Sequence, residues 1–167
     1  MESLCEEKIY SSFFNNHSKA LYNYIYYKCG KANLAQDIVQ EAFLKIWQNC
    51  STILMETAKA YVYKTAGNLL LNQFKHDQVV LKFEQKKSQG QSQESPEFLL
   101  EQKEFKIRLE QAISNLPEKQ RVVFLMSRID KKTYKEIASI LGISKQAVEK
   151  RMYNALDSLR KISKKIP

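Results

Sequence analysis

The sequence predicts an all-α chain of two small helical domains joined by a flexible linker, and three observations lead there. Four Gly and three Pro in 167 residues are too few for turn-rich sheets, whereas the abundant Leu, Ile, Lys, Glu and Gln are helix formers. Apolar residues recur at helical spacing through most of the chain, and the few Gly and Pro fall where that periodicity breaks. Residues 86–95 contain no apolar side chain to bury, which reads as a linker. A chain of this length can bury one ordinary core or two small ones. The expected organisation is a first domain over residues 1–78, a flexible linker over 79–95 and a second domain over 96–167.

Each element follows from its own pattern. In the first helix Phe13, Phe14, Leu21, Tyr24, Ile25 and Tyr27 line one side, and Gly30 ends it. Leu34, Ile38, Val39, Ala42, Phe43, Ile46 and Trp47 form the broad apolar stripe of a second, core-facing helix. Ser51 to Glu56 interrupt the pattern, and a third helix is expected from Thr57 to Lys75 through Tyr61, Val62, Leu69, Leu70 and Phe74. Beyond the linker, Ser95-Pro96-Glu97 supplies an N-cap, a proline at the first helical position and an acid in the first turn. That helix should run to Ser114. Pro117 opens another through Val122, Val123, Leu125 and Met126, ending near Ile129.

Composition narrows the functional classes. No apolar run is long enough to span a bilayer, and Met1 to Lys8 is polar and acidic rather than signal-like, so no direct membrane insertion is expected. Cys5, Cys29 and Cys50 are odd in number and lack Cys-x-x-Cys spacing, so neither a disulfide framework nor a zinc site is expected, and a reducing cytoplasm fits. His17 and His76 are isolated, there is no glycine-rich phosphate loop, and the expectation is no enzyme, no catalytic residue and no cofactor. The net charge of +9 is uneven: residues 102–167 carry all of it and the remainder sums to zero. A small basic domain of this kind fits a polyanionic partner.

The stretch from Tyr134 to Leu156 reads as a helix-turn-helix. Ala138 is small where two helices approach, and Gly142 lies just past the first helix, where a left-handed backbone is needed. Ile143 and Val148 fill the angle between the helices, and Ser144 is placed to cap the second. The second helix then presents Lys145, Gln146, Glu149, Lys150, Arg151 and Tyr153 near its N-terminal half, the part of such a motif that enters the major groove. Lys and Gln can read guanine and adenine edges, and Arg151 can hold a phosphate or a base. In the first domain Asp37, Gln40 and Glu41 lie within about one turn of each other, an acidic patch suited to a protein partner.

With these motifs in hand, the sequence resembles a group 4, extracytoplasmic-function RNA polymerase sigma factor over nearly the whole chain, from about Tyr10 to Lys161. Leu116-Pro-Glu-Lys-Gln-Arg-Val-Val-Phe124, Tyr134-Lys-Glu-Ile-Ala138 and Gly142-Ile-Ser144 are similar to the family's region 4, and Asp37-Ile-Val-Gln-Glu-Ala-Phe-Leu-Lys-Ile-Trp47 to its region 2.2. The resemblance implies that Asp37, Gln40 and Glu41 dock on the clamp helices of the polymerase β′ subunit and that the second domain reaches the β flap. It implies that the third helix and the loop Ser51 to Glu56 capture the unpaired strand of the −10 element. Asn68 matches the family's pocket asparagine, and Ser51 and Thr52 belong to its specificity loop. Tyr61, Tyr63, Lys64 and Lys75 are aromatic and cationic candidates for the stacking and backbone contacts that single-strand capture needs. Asn72 and Lys75 stand where the family often has Asp and Arg, and Glu149 places an acid in a reading helix that is more often basic. An anti-sigma factor is implied by resemblance alone. No further domain is expected after Pro167. Two other readings remain open at the level of sequence: a conventional helix-turn-helix regulator acting without polymerase, and a helical protein-binding adaptor.

Overall fold

Seven helices and no strand are present among the residues that the computed structural model describes, which are 2–73, 78–83 and 95–163. They are α1 (Glu7–Cys29), α2 (Ala32–Gln48), α3 (Met55–Gln73), α4 (Pro96–Ser114), α5 (Glu118–Arg128), α6 (Tyr134–Leu141) and α7 (Lys145–Ser163). None is long and apolar enough to cross a membrane.

α1 stops at Gly30, whose backbone at φ 69° donates to the Tyr26 carbonyl and reverses the chain. α2 then packs back along α1, and α3 closes the layer against both. Ala35, Ala42, Ala58 and Ala66 are fully buried where these helices meet, between Leu21, Ile25, Ile38, Phe43, Ile46 and Val62. Each of the larger side chains contributes about 1.5–3 kcal/mol by leaving water. Trp47 departs from the expected core stripe: it sits 40% exposed at its edge, its ring 4.9 Å from Tyr10. α3 begins two residues earlier than the sequence pattern indicated, at Met55.

The second domain starts as its capping residues dictate. Ser95 Oγ accepts from the Phe98 amide at 3.3 Å, with Pro96 at the first helical position. α4 buries only Ala112 and Ile113 and leaves Phe98, Leu99, Leu100 and Phe105 exposed. α5, α6 and α7 enclose Val122, Val123, Leu125, Met126, Ile137, Val148, Met152 and Ala155.

The two domains are packed together, a feature that a polar linker leaves undetermined. α1 lies against α5 and α3 against α6. At the centre is Arg121, 4% exposed, whose guanidinium donates to four backbone carbonyls: Tyr27 at 2.7 Å, Leu116 at 2.8 Å, Lys28 at 3.0 Å and Ser114 at 3.3 Å. Tyr27 and Lys28 are in the last turn of α1, where carbonyls have no intrahelical donor and a cation is favoured. Around it, Asp130 Oδ1 accepts from Tyr27 Oη at 2.7 Å and Asn23 Nδ2 at 3.0 Å, and Lys28 Nζ pairs with Glu118 at 3.4 Å.

Two expectations are corrected. The start of the linker is held in place: Leu81 is buried, its amide donates to Ser114 Oγ at 3.1 Å, and the Tyr26 hydroxyl bonds both the amide and the carbonyl of Lys82 at 3.0 Å. Lys106 Nζ donates to the Phe83 carbonyl at 3.0 Å. Residues 84–94 of the expected linker lie outside the described residues. Cysteine counting also misled, because Cys5 and Cys50 form a disulfide and only Cys29 is free. The antiparallel α1–α2 pair brings the start of α1 beside the end of α2, a proximity that spacing in sequence does not encode.

Gly30 and Gly142 both occupy the left-handed region, at φ +69° and +65°. A Cβ on Gly142 would meet nothing within 4 Å, whereas one on Gly30 would lie 2.9 Å from the Val80 carbonyl oxygen and from Val79 Cγ1. Gly142→Ala is expected to lose about 1–2 kcal/mol from the backbone alone, and Gly30→Ala clearly more, read from urea denaturation midpoints. In the same assay Arg121→Met should lose about 1.5–3 kcal/mol, the scale of a charge-assisted hydrogen bond.

Candidate functional site

The helix-turn-helix is built by local chemistry. Thr133 Oγ1 accepts from the Glu136 amide at 3.2 Å while Glu136 Oε2 accepts from the Thr133 amide at 2.8 Å, a reciprocal capping box. That backbone donor holds the Glu136 carboxyl below the usual carboxylate range. At the other end of α6 the Gly142 amide donates to Ala138, and the Ile143 amide does so at 3.1 Å. Ser144 Oγ then accepts from the Ala147 amide at 3.1 Å and starts α7. Val148, Met152 and Ala155 point inward. The helical period therefore turns Lys145, Gln146, Glu149, Lys150 and Tyr153 to solvent, with Tyr153 67% exposed and Arg151 half-buried. Lys145 Nζ reaches Glu149 at 3.9 Å, so the acid that looked out of place in a reading helix offsets a neighbouring cation one turn away. An exposed pair of this kind is worth only about 0.3–0.5 kcal/mol and parts readily.

On α3, Tyr61, Lys64, Asn68 and Asn72 follow one another at helical spacing and are all exposed. Ser51 and Thr52 are exposed in the loop that precedes the helix, where Thr52 is held by its amide and hydroxyl to the Asn49 carbonyl. Lys75 lies outside the described residues. Tyr63 belongs to the interior instead: it is 3% exposed, its ring 5.3 Å from Tyr24, and burial raises its phenol pKa. Lys64 and Asn68 border a cavity of about 380 Å³ whose opposite wall is Ser139, Ile140, Leu141 and Gly142 of the helix-turn-helix. The packed arrangement thus faces the α3 stripe toward the turn of the other domain.

α2 carries the second kind of surface. Asp37 and Gln40 are exposed and Glu41 half-buried. Beside them lies an apolar patch that the sequence pattern did not reveal: Leu44 is 53% exposed, and with Tyr10, Phe14 and Gln40 it borders a shallow cavity of about 490 Å³. Periodicity assigned Phe14 to a buried face, whereas it lies at the rim with its ring 4.8 Å from Phe43. Acidic groups beside exposed apolar ones are the makings of a protein interface. Among the described residues no cluster of His, Cys, Asp and Glu could hold a metal ion.

Two helical modules, one with a helix-turn-helix and one with an acidic and apolar helix face and a polar stripe, define a bipartite DNA-binding protein. Residues 13–79 match the family model "Sigma-70 region 2", and residues 106–159 match "Sigma-70, region 4". The chain belongs to the sigma-70 family of RNA polymerase sigma factors, in its extracytoplasmic-function group. It is 25% identical to the ECF RNA polymerase sigma factor SigW of Bacillus subtilis, over 93% of this chain and 89% of that protein. It is 26% identical to the ferric citrate uptake sigma factor FecI of Escherichia coli, over 89% and 87%. Its fold matches that of the sigma factor RpoE, solved with the anti-sigma factor NepR from Bartonella quintana, at a TM-score of 0.65 and 17% identity, covering 96% of this chain and 99% of that one. Its role is that of the family, directing RNA polymerase to promoters.

The Lys145–Glu149 pair makes a specific forecast for duplex binding. Glu149→Gln should tighten binding and steepen its salt dependence, while Lys150→Ala should weaken binding to all sequences alike and reduce the salt slope by about 1. Fluorescence anisotropy across a salt series measures both.

Proposed function

We propose that the first domain binds core RNA polymerase and traps the melted −10 strand, and that the second reads the −35 duplex. The observation that carries this reading is the division of labour between the two domains. An acidic and apolar face on α2 is formed by Asp37, Gln40, Glu41 and Leu44, and a separate helix-turn-helix exposes Ser144, Lys145, Gln146, Lys150 and Tyr153. The α2 face meets the clamp helices of the β′ subunit, and the second domain approaches the β flap. Ser51, Thr52, Tyr61, Lys64, Asn68, Asn72 and Lys75 serve the unpaired strand, with Asn68 at the flipped base and cations along the backbone. Duplex contacts come from α7 in the major groove, with Glu149 and Arg151 tuning them. The protein performs no chemistry of its own and acts in the cytoplasm, where polymerase and chromosome meet. An anti-sigma factor is the expected inhibitor, as one accompanies the Bartonella structural relative.

Use of both DNA surfaces requires the domains to part, because Lys64 and Asn68 face the turn at Ser139–Gly142 in the packed arrangement. Each module binds weakly alone, and linked engagement on polymerase raises the effective concentration of the second contact once the first has formed. A conventional regulator would bind duplex promoters without polymerase.

Reconstituted run-off transcription tests the proposal. The wild-type chain with core polymerase should yield a specific transcript, and Asp37→Ala combined with Glu41→Ala should abolish both core binding and transcript while leaving the circular dichroism spectrum intact. Asn68→Ala should cut transcription and preserve duplex binding. Absence of any transcript on candidate promoters mapped genome-wide would overturn it.

A further inference from the structure

The segment ahead of α1 is joined covalently to the loop after α2, through Cys5 and Cys50, with Cα atoms 5.2 Å apart and a sequence separation of 45. The loop from Asn49 to Leu54 is otherwise secured by short-range bonds. The Cys50 amide donates to Trp47, Asn49 Nδ2 to Lys45, and the amide and hydroxyl of Thr52 to Asn49, while Ile53 is its buried anchor. Cys5 is exposed and Cys50 partly so, which leaves the bridge open to soluble oxidants and reductants. Cys29 is the contrast: it is 4% exposed, and burial raises its thiol pKa. Disulfides of cytoplasmic proteins are typically transient and redox-sensing rather than structural, so a bridge in a protein that works on polymerase points to regulation.

We propose that Cys5 and Cys50 are a reversible oxidation site, and that the bridge switches off −10 strand capture by holding the Asn49–Leu54 loop away from Asn68. In the bridged form none of residues 49–56 lines the cavity beside Lys64 and Asn68. A loop that must move to close over a flipped base is tethered at Cys50 to the segment ahead of α1. The chemistry balances with a hydroperoxide as oxidant. The exposed Cys5 thiol loses its proton, the thiolate attacks one peroxide oxygen, the O–O bond breaks to leave a sulfenic acid, and the departing hydroxide takes up that proton as water. The Cys50 thiol likewise loses its proton, its thiolate attacks the sulfenic sulfur, and the displaced hydroxide takes up the proton as a second water. Overall, two thiols and one hydrogen peroxide give one disulfide and two waters. A dithiol reductant restores both thiols by exchange through a mixed disulfide. The switch rests on the assignment of this loop to strand capture, whereas the oxidation site does not.

The full chain, treated with hydrogen peroxide and then with dithiothreitol, is read by differential alkylation and mass spectrometry. Its holoenzyme is then titrated with a fluorescent −10 non-template strand. Peroxide should join Cys5 to Cys50 and leave Cys29 free, weaken strand binding by about tenfold, equivalent to about 1.4 kcal/mol, and dithiothreitol should restore it. Cys5→Ser should bind like the reduced chain whether or not peroxide is present. Free Cys5 and Cys50 after peroxide, or prior oxidation of Cys29, would overturn the oxidation site. Equal or tighter strand binding by the bridged form would overturn the switch. If the bridge forms but the reduced holoenzyme captures no −10 strand, the role of the loop falls and the switch with it, while the oxidation site stands.

Discussion

The seat of Arg121 on the end of α1 is the contact on which the rest of the arrangement depends. A helix ends with carbonyls that its own amides cannot reach, and here two of them, on Tyr27 and Lys28, are served by a guanidinium from the other domain. The same group holds Ser114 and Leu116, the turn between α4 and α5. One planar cation with fixed donor directions thereby joins two domains and a turn. Among the described residues no carboxylate lies within salt-bridge distance of it; the neighbouring Glu118 carboxylate and the field at the helix C-terminus favour its charge. Lysine, with a single point charge, could not reproduce the geometry.

The interface around this residue is polar: Asn23, Tyr27, Lys28, Glu118 and Asp130 supply its other bonds. Polar interfaces within a chain resemble transient ones between proteins. Their bonds can be exchanged for bonds to water at modest net free energy, which is what the proposed parting of the two domains on polymerase requires. The buried apolar residues of the two domains nevertheless form one continuous cluster, so parting the domains also exposes some apolar surface.

Much of this was legible in the sequence because it is local. The α4 start at Ser95-Pro96, the end of α1 at Gly30 and the end of α6 at Gly142 follow from backbone stereochemistry, and the solvent-facing set on α7 follows from helical period. Contacts between remote segments were not legible. Arg121 bonds backbone carbonyls more than ninety residues away, and backbone carries no side-chain signature to search for. The Cys5–Cys50 bridge was hidden by an odd cysteine count, and an apolar stripe on α2 wide enough to fill a core concealed that its edge, Leu44 and Trp47, faces outward. Tyr63 illustrates the converse. An aromatic beside a candidate DNA-binding lysine is interior because the helix turns it toward Tyr24.

The missing side chain at Gly30 has a wider effect than the turn it permits. The Val79–Val80 backbone crosses the end of α1 within 3 Å of where a methyl group would sit, so the bare glycine defines the track by which the polypeptide leaves the first domain. Tyr26, Ser114 and Lys106 then guide the following residues along α4. The heading of the connection is therefore fixed at its first few residues, which are held between Tyr26 of the first domain and Ser114 and Lys106 of the second.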